Sequence, residues 1–183
     1  MPQALIVIDM LNRYEHEDAE PLMRSVREVL PAIEGLIREA RERDVLTVWV
    51  NDNHGDWTAG RDELVGWARG GRDGSLIEPI APSDDQPFVV KARHSIFYGT
   101  QLEYLLRTSD IDRIVLAGQV TEQCILYSAL DGYVRHFDVS IPRDAVAHIV
   151  PELADAALHM MERNMRAHVI EAAGVLDPPQ QDG

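Results

Sequence analysis

The sequence of 183 residues predicts an α/β protein, a doubly wound three-layer sandwich built on a mostly parallel sheet of six strands. Two observations favour this class. Apolar runs of strand length alternate along the chain with helical patterns. The runs are continuously apolar, which is typical of strands that helices cover on both faces. We expect one domain over residues 1–176, because a chain of this length is enough for one core and too short for two.

The predicted strands are short, apolar and rich in β-branched residues. They span residues 4–9, 45–51, 88–91, 113–118, 137–142 and, with a weaker pattern, 168–171. Right-handed crossovers and the doubly wound class predict the sheet order 3-2-1-4-5-6. Ligands of such sheets bind beyond the carboxyl ends of the strands, so functional residues are expected there.

The longest helical pattern extends over residues 22–40, where apolar side chains recur at helical spacing. Pro31 lies inside it and either kinks one helix or begins a second one. Shorter helices are predicted over residues 100–107, 121–135 and 151–166. Residues 52–74 are rich in Gly, Asp and Trp and indicate a long loop with one short helix at 62–69, a candidate lid. We expect the tail 177–183 to be disordered.

The composition argues against several classes of function. A formal net charge of −14 repels nucleic-acid phosphates and anionic lipids, and no apolar run approaches the about 20 residues that span a bilayer. We therefore expect a small-molecule substrate and no nucleic-acid or membrane partner. The N-terminal segment has no basic region typical of a secretion signal, and the single cysteine cannot form an internal disulfide. A cytoplasmic protein is expected.

Three chemically reactive side chains follow predicted strands. Asp9 ends the first strand, Lys91 ends the third, and Cys124 lies in the first turns of the helix after the fourth. They are expected to meet, because the carboxyl ends of parallel strands share one edge of the sheet. A helix N-terminus favours the thiolate, the form of cysteine that attacks carbonyl carbon. Each residue also fits a structural role, Cys124 in the core, Asp9 as a cap and Lys91 as a charged strand end.

Three motifs surround these residues: Ile6-Val7-Ile8-Asp9-Met10 with Asn12 and Tyr14, Val90-Lys91 with Ser95, Phe97 and Gly99-Thr100, and Gly118-Gln119-Val120-Thr121-Glu122-Gln123-Cys124. Through them the chain resembles the isochorismatase-like cysteine hydrolase family from Ala4 to about Gly174. The branch that it resembles is uncharacterised and has a strand ending in Asn-Asp-Asn, here residues 51–53. The third motif, Gly-x-x-Thr-x-x-Cys after a strand, is the most specific of the three.

The resemblance implies an Asp-Lys-Cys triad that hydrolyses amides or related C–N bonds through a thioester, without a cofactor. Asp9 would take the thiol proton and later activate water, Lys91 would hold Asp9 ionised and stabilise the thiolate, and Cys124 would attack. The resemblance also implies a cis peptide bond between Gln119 and Val120, and an oxyanion hole formed by the N–H groups of Val120 and Cys124. Family members are often dimers or tetramers, so a homo-oligomer is expected.

One branch of the family, the nicotinamidases, binds a metal through an Asp-x-His pair and one further histidine. Asp52 and His54 resemble the pair, but no other histidine lies between His54 and Lys91, and an aspartate with one histidine is a poor closed set for zinc. We therefore predict no metal site. The alternatives to a metal-free amidase are a metal-assisted nicotinamidase-type amidase, an isochorismatase-type hydrolase and a binding protein that retains the pocket without turnover.

The candidate substrate-binding residues are Tyr14, Trp57, Phe97 and Gln123. Aromatic groups beside a nucleophile can enclose a flat or aliphatic acyl group. The three aromatic residues fit core packing or surface exposure equally well. His94, three residues after Lys91, either faces the same pocket or lies on the surface.

Overall fold

The computed structural model describes residues 2–177. Its sheet contains β1 (Gln3–Ile8), β2 (Leu46–Asp52), β3 (Phe88–Lys91), β4 (Arg113–Gln119), β5 (Asp138–Pro142), β6 (Val146–Ala147) and β7 (His168–Ile170). The helices are α1 (Ala19–Glu42), α2 (Arg61–Arg69), α3 (Leu102–Thr108), α4 (Leu126–Val134) and α5 (Pro151–Met165). No helix within residues 2–177 is long and apolar enough to cross a membrane.

The sheet has the strand order β3-β2-β1-β4-β5-β7, and every pairing is parallel. This confirms the predicted fold class and order, because β7 is the sixth predicted strand. One further strand, β6, pairs with the end of β4 beside Gly118 and Gln119. Its two residues are too few to give a periodic signal in the sequence.

Successive residues of β1 belong to two different cores, as expected for a strand that helices cover on both faces. Leu5 and Val7 pack in the same core cluster as the buried face of α1. Ile6 and Ile8 pack in the cluster that contains the buried residues of α3, α4 and α5. The sheet is therefore the central layer of three. The carboxyl ends of its strands lie between the two layers of helices.

Helix α1 runs without interruption from Ala19 to Glu42, with Pro31 inside it. The sequence left open whether Pro31 lies within one helix or begins a second one, and the structure shows one helix. Pro31 is exposed, while the opposite face of α1 buries a continuous apolar stripe against the sheet. That burial outweighs the missing N–H of the proline, which costs about 3 kcal/mol in a helix interior.

Gly118 brings β4 unusually close to β1 at the edge where the reactive residues lie. It pairs with Ile8 and has a φ of 120°. A Cβ atom at this position would lie 2.2 Å from the carbonyl oxygen of Ile8. Only glycine fits both the backbone conformation and the approach of the two strands, so Gly118 sets the spacing between the segments after β1 and β4.

The segment after β2 is anchored by α2, which is close to the predicted helix at 62–69. The helix packs through Leu64, Val65 and Ala68 in a small cluster with Leu11 and Ile77. The predicted disordered tail, residues 177–183, lies outside the described residues except for Asp177. The carboxylate of Asp177 pairs with Arg43 at 2.6 Å.

Candidate active site

Asp9 follows β1 directly and is held in one orientation by three hydrogen bonds. Its φ of 56° is in the left-handed region, which non-glycine residues seldom adopt. Its own N–H donates to the carbonyl of Val50 at 2.9 Å, and its carbonyl accepts from the side-chain amide of Gln119 at 2.6 Å. The N–H of Asp52 donates to Oδ1 of Asp9 at 2.8 Å. The second carboxylate oxygen, Oδ2, is left to face Lys91.

Lys91 is the last residue of β3 and the only lysine of the sequence. Its side chain is 1% exposed, and its Nζ lies 2.8 Å from Oδ2 of Asp9 and 3.7 Å from Oδ2 of Asp52. Burial lowers the pKa of the Lys91 ammonium, but the negative charge of Asp9, together with that of Cys124 whenever its thiol ionises, outweighs burial and raises this pKa above its usual value. Lys91 therefore remains a fixed positive charge at the bottom of the site.

Cys124 lies in the single π-helical turn Thr121–Ile125 that leads into α4, and its Sγ lies 3.7 Å from Nζ of Lys91. Burial raises the pKa of the Cys124 thiol, and the negative charge of Asp9 raises it further, while Lys91 lowers it. Burial and the charge of Asp9 therefore oppose the thiolate that the helix end was expected to favour. A protonated thiol beside a carboxylate needs that carboxylate as a base when it attacks.

The peptide bond between Gln119 and Val120 is cis. A hydrogen bond from the Val120 backbone lowers the pKa of the Cys124 thiol. Tyr14 contacts the same segment, because its hydroxyl donates to Oε1 of Gln119 at 3.4 Å.

A cavity of about 260 Å³ opens above these three side chains. It is lined by Asp9, Asn12, His16, Asp18, Leu22, Asp52, His54, Lys91, His94, Gln119, Val120, Gln123, Cys124 and Ile149. The structure thus brings the predicted Asp9, Lys91, Cys124, Gln119, Val120 and Gln123 to one place. Most of the lining residues have polar side chains, and the charged ones are three aspartates and one lysine.

The other three predicted wall residues do not line this cavity. Tyr14 is fully buried in the core beside α1, and Phe97 is buried against Phe137, with ring centroids 5.7 Å apart. Trp57 is 81% exposed on the loop after β2. Closeness in sequence to the motifs suggested all three, but the direction in which a loop side chain points depends on tertiary packing that the sequence pattern does not reveal.

Several cavity residues were not anticipated as walls from the sequence. Asn12, His16 and Asp18 come from the segment between β1 and α1, Leu22 from the first turn of α1, and Ile149 from the segment after β6. Asn12 belongs to the first motif and Leu22 begins the long helical pattern, but neither signal indicates a cavity wall, and the other three residues carry no motif and no periodic signal. His94, which the sequence left open, lines the cavity with its Nδ1 3.6 Å from Sγ of Cys124.

Asp52 and His54, the pair that resembles a nicotinamidase metal site, make other contacts. Asp52 accepts a hydrogen bond from the His54 N–H at 2.8 Å. The His54 ring stacks on Trp67 at 4.4 Å, and its Nε2 lies 3.0 Å from the carbonyl of Leu11. Across residues 2–177, no group of three or more His, Cys, Asp or Glu side chains is arranged to hold a metal ion.

Comparisons with known proteins identify the family of the chain. Residues 3–174 match the family described as the isochorismatase domain. The chain is 30% identical to the uncharacterised isochorismatase family protein YaaI of Bacillus subtilis, over 96% of this chain and 97% of that protein. It is 27% identical to a ureidoacrylate amidohydrolase of Enterobacter, over 84% of this chain and 79% of that protein. The structure of N-carbamoylsarcosine amidase from Thermoplasma acidophilum superposes with a TM-score of 0.73 at 28% identity, over 98% and 99% of the two chains.

Proposed function

This chain belongs to the isochorismatase family, as its motifs predicted, and from that membership we propose that it is a cysteine hydrolase acting through a thioester on Cys124. It cleaves a C–N bond of a small amide, ureido or cyclic amide substrate. The observation that carries the proposal is the contact of Lys91 Nζ with both Asp9, at 2.8 Å, and Cys124, at 3.7 Å, beneath one cavity.

The reaction begins with the protonated thiol of Cys124. As Sγ attacks the substrate carbonyl carbon, its proton passes to the carboxylate of Asp9, and Lys91 stabilises the negative charge that this transfer leaves on sulfur. The carbonyl oxygen becomes an oxyanion that the N–H groups of Val120 and Cys124 receive. Such a donor is worth roughly 3–4 kcal/mol in other hydrolases. As the C–N bond breaks, Asp9 gives this proton to the leaving nitrogen. Asp9 is then a carboxylate again and takes a proton from the water that attacks the thioester.

The relatives and the cavity lining together support the class of substrate. Two relatives are named for ureido or carbamoyl compounds, and the cavity volume of about 260 Å³ suits a small molecule. Polar groups such as those of Asn12, Gln123 and Asp18 suit the N–H and C=O groups of an amide or urea. None of the cavity residues named above is Phe, Tyr or Trp, which favours a small polar acyl group over an aromatic one.

The proposal is tested by a hydrolysis screen. Small aliphatic amides, ureas, cyclic ureides and activated esters are incubated with the wild-type protein and with Cys124→Ala, and ammonia, amine or acid release is measured. We expect turnover of at least one compound by the wild-type protein and none by the variant. Equal turnover by both proteins would contradict the proposal, as would the absence of any turnover or acylation by the whole panel.

A further inference from the structure

One wall of the cavity comes from the wall segment, residues 148–150, which connects β6 to α5. Ile149 is the member of this segment that lines the cavity, and it also packs against the core cluster that contains the buried face of α1. The N–H of His148 donates to Oγ of Ser25 on α1 at 3.0 Å. The wall segment is therefore fastened by a side chain from the side of α1.

Glu122 holds the same segment from the side of the nucleophile. It lies two residues before Cys124 in the π-helical turn. Its Oε1 accepts hydrogen bonds from the N–H groups of Ile149 at 3.0 Å and Val150 at 2.8 Å. Because α5 begins directly after Val150, the carboxylate also lies at the positive end of that helix dipole. One side chain thus joins the turn that carries the sulfur to the wall of the cavity.

The second carboxylate oxygen of Glu122, Oε2, is unfavourable for stability. Oε2 is buried, and it is the one buried side-chain nitrogen or oxygen of residues 2–177 without a hydrogen-bond partner. A buried oxygen without a partner destabilises a folded protein. Proteins retain such groups mainly at functional sites. The function of the site therefore explains a glutamate at this position better than the stability of the fold does.

The turn that carries the nucleophile has backbone hydrogen bonds of its own. The N–H groups of Gln123 and Ile125 donate to the carbonyl of Val120 at 3.0 and 3.1 Å. In the wall segment, by contrast, the N–H groups donate to side chains of other elements, two of them to Glu122. Loss of the Glu122 carboxylate is therefore expected to displace the wall and to leave the sulfur in place.

We propose that Glu122 is a positioning residue, which fixes the distance between Ile149 and Cys124 and thereby the fit of the acyl part of the substrate. The inference rests on the proposed function. An apolar wall contacts the acyl group in the ground state and in the transition state alike, because it does not respond to the charge that develops at the carbonyl. Loss of Glu122 should therefore raise KM more than it lowers kcat.

Three substitutions test this role. Glu122→Ala removes the acceptor of the two N–H groups. Glu122→Gln removes the charge but keeps an acceptor oxygen. Ile149→Ala removes the side chain through which Glu122 is proposed to act. The matched control is Glu152→Ala, the same change at an exposed carboxylate in the first turn of α5.

The first readout is kcat and KM for the best amide from the hydrolysis screen. We expect Glu122→Ala to lower kcat/KM about 10-fold or more, mostly through KM, because a displaced wall loses contact with the acyl group. Glu122→Gln should stay within about threefold of the wild-type protein, since its oxygen replaces Oε1 as the acceptor. Glu152→Ala should match the wild-type protein.

A double-mutant cycle separates positioning from a merely structural role. In the Ile149→Ala background, Glu122→Ala should lower kcat/KM by less than about threefold, because the side chain that it positions is already absent. Additive losses would show that Glu122 only supports the fold and would overturn the proposal. An equal loss for Glu122→Gln and Glu122→Ala would overturn it as well, because the hydrogen bonds would then not be the cause.

Alkylation of Cys124 by iodoacetamide checks that the site is intact. The reagent needs the sulfur and not the wall, so we expect its rate with Glu122→Ala to stay within about twofold of the wild-type rate. If partial unfolding exposes the thiol and raises that rate, the cycle is run with Glu122→Asp, which keeps the charge and shortens the side chain. The same loss through KM and the same dependence on Ile149 are expected, and additive losses there would again overturn the proposal.

Failure of the proposed function gives a different pattern. In that case the wild-type protein turns over none of the screened compounds, or Cys124→Ala turns them over equally well, and the role of Glu122 falls with it. Failure of the positioning role alone leaves turnover that depends on Cys124, with additive losses in the cycle.

Discussion

Nζ of Lys91 lies 2.8 Å from Oδ2 of Asp9, and the two side chains are 1% and 11% exposed. The pair joins the ends of β1 and β3, which are separated in the sheet by β2. A buried ion pair of this kind contributes little net stability against an apolar replacement of both partners, but the loss of one partner leaves an uncompensated charge. We therefore expect this ion pair to serve the chemistry of the site and not the stability of the fold.

Lys91→Met should reduce the free energy of unfolding by about 3–5 kcal/mol, because Asp9 is left buried without its counter-charge. Urea unfolding followed by fluorescence measures the loss. The double variant Asp9→Asn with Lys91→Met should recover part of it. The control is Arg72→Met, which removes an exposed ion pair with Glu20 and should cost less than about 1 kcal/mol. Equal losses for the two single variants would contradict the burial argument.

The raised pKa of the Cys124 thiol makes stability depend on pH in a defined direction. Above about pH 8.5 the thiol of the unfolded chain ionises, whereas the folded thiol keeps its proton. Unfolding then releases a proton, so the stability of the wild-type protein should fall relative to Cys124→Ser by about 1.4 kcal/mol per pH unit between about pH 8.5 and pH 10. Urea unfolding of both proteins at several pH values measures the difference. A difference that stays constant over this range would show that burial does not favour the protonated thiol.

Gly118→Ala should destabilise the protein by about 3 kcal/mol or more, because the new Cβ meets the carbonyl oxygen of Ile8 at 2.2 Å in a backbone conformation with a φ of 120°. Gly66→Ala is the matched control, since Gly66 lies inside α2 with no atom within 4 Å of its Cβ position. That substitution should stabilise the protein by up to about 1 kcal/mol. Thermal unfolding compares the two, and a tolerated Gly118→Ala would mean that β1 and β4 can separate at the active edge.

The charges of the cavity predict a preference among substrates. Lys91 lies 2.8 Å from Asp9 and 3.7 Å from Asp52, so with Asp18 the three carboxylates of the cavity outnumber its one ammonium and leave a net negative charge. Amides that end in a carboxylate should therefore be poorer substrates than neutral amides of the same size. Each unit charge about 4 Å away contributes about 1 kcal/mol in water, which is roughly fivefold in kcat/KM. Asp18→Asn should narrow the difference, and a wild-type preference for the carboxylate would contradict this account of the cavity.

The strands were predicted more successfully than the cavity. Strands such as β1 and β4 are buried on both faces, so their apolar runs carry the signal by themselves, and the strand-end rule then places Asp9 and Lys91. The positions of cavity residues such as His16 and Asp18 depend on the path of the chain between β1 and α1. The sequence of that segment has neither helical nor strand periodicity.

The effect of burial on the pKa of the Cys124 thiol could not be predicted from its place in the chain. A helix N-terminus stabilises a nearby negative charge by at most about 2 kcal/mol, whereas burial can shift a pKa by several units. The burial of the Cys124 sulfur and its distance from Asp9 both depend on tertiary packing.

The most direct test of the account is the mass of the peptide that contains Cys124 during turnover. The protein is mixed with an activated aryl ester or with the best amide from the screen, quenched in acid at short times, digested and analysed by mass spectrometry. We expect an acyl group on Cys124 that forms and decays at least as fast as the enzyme turns over. Turnover without an acyl group on Cys124, or with one on another residue, would contradict the account.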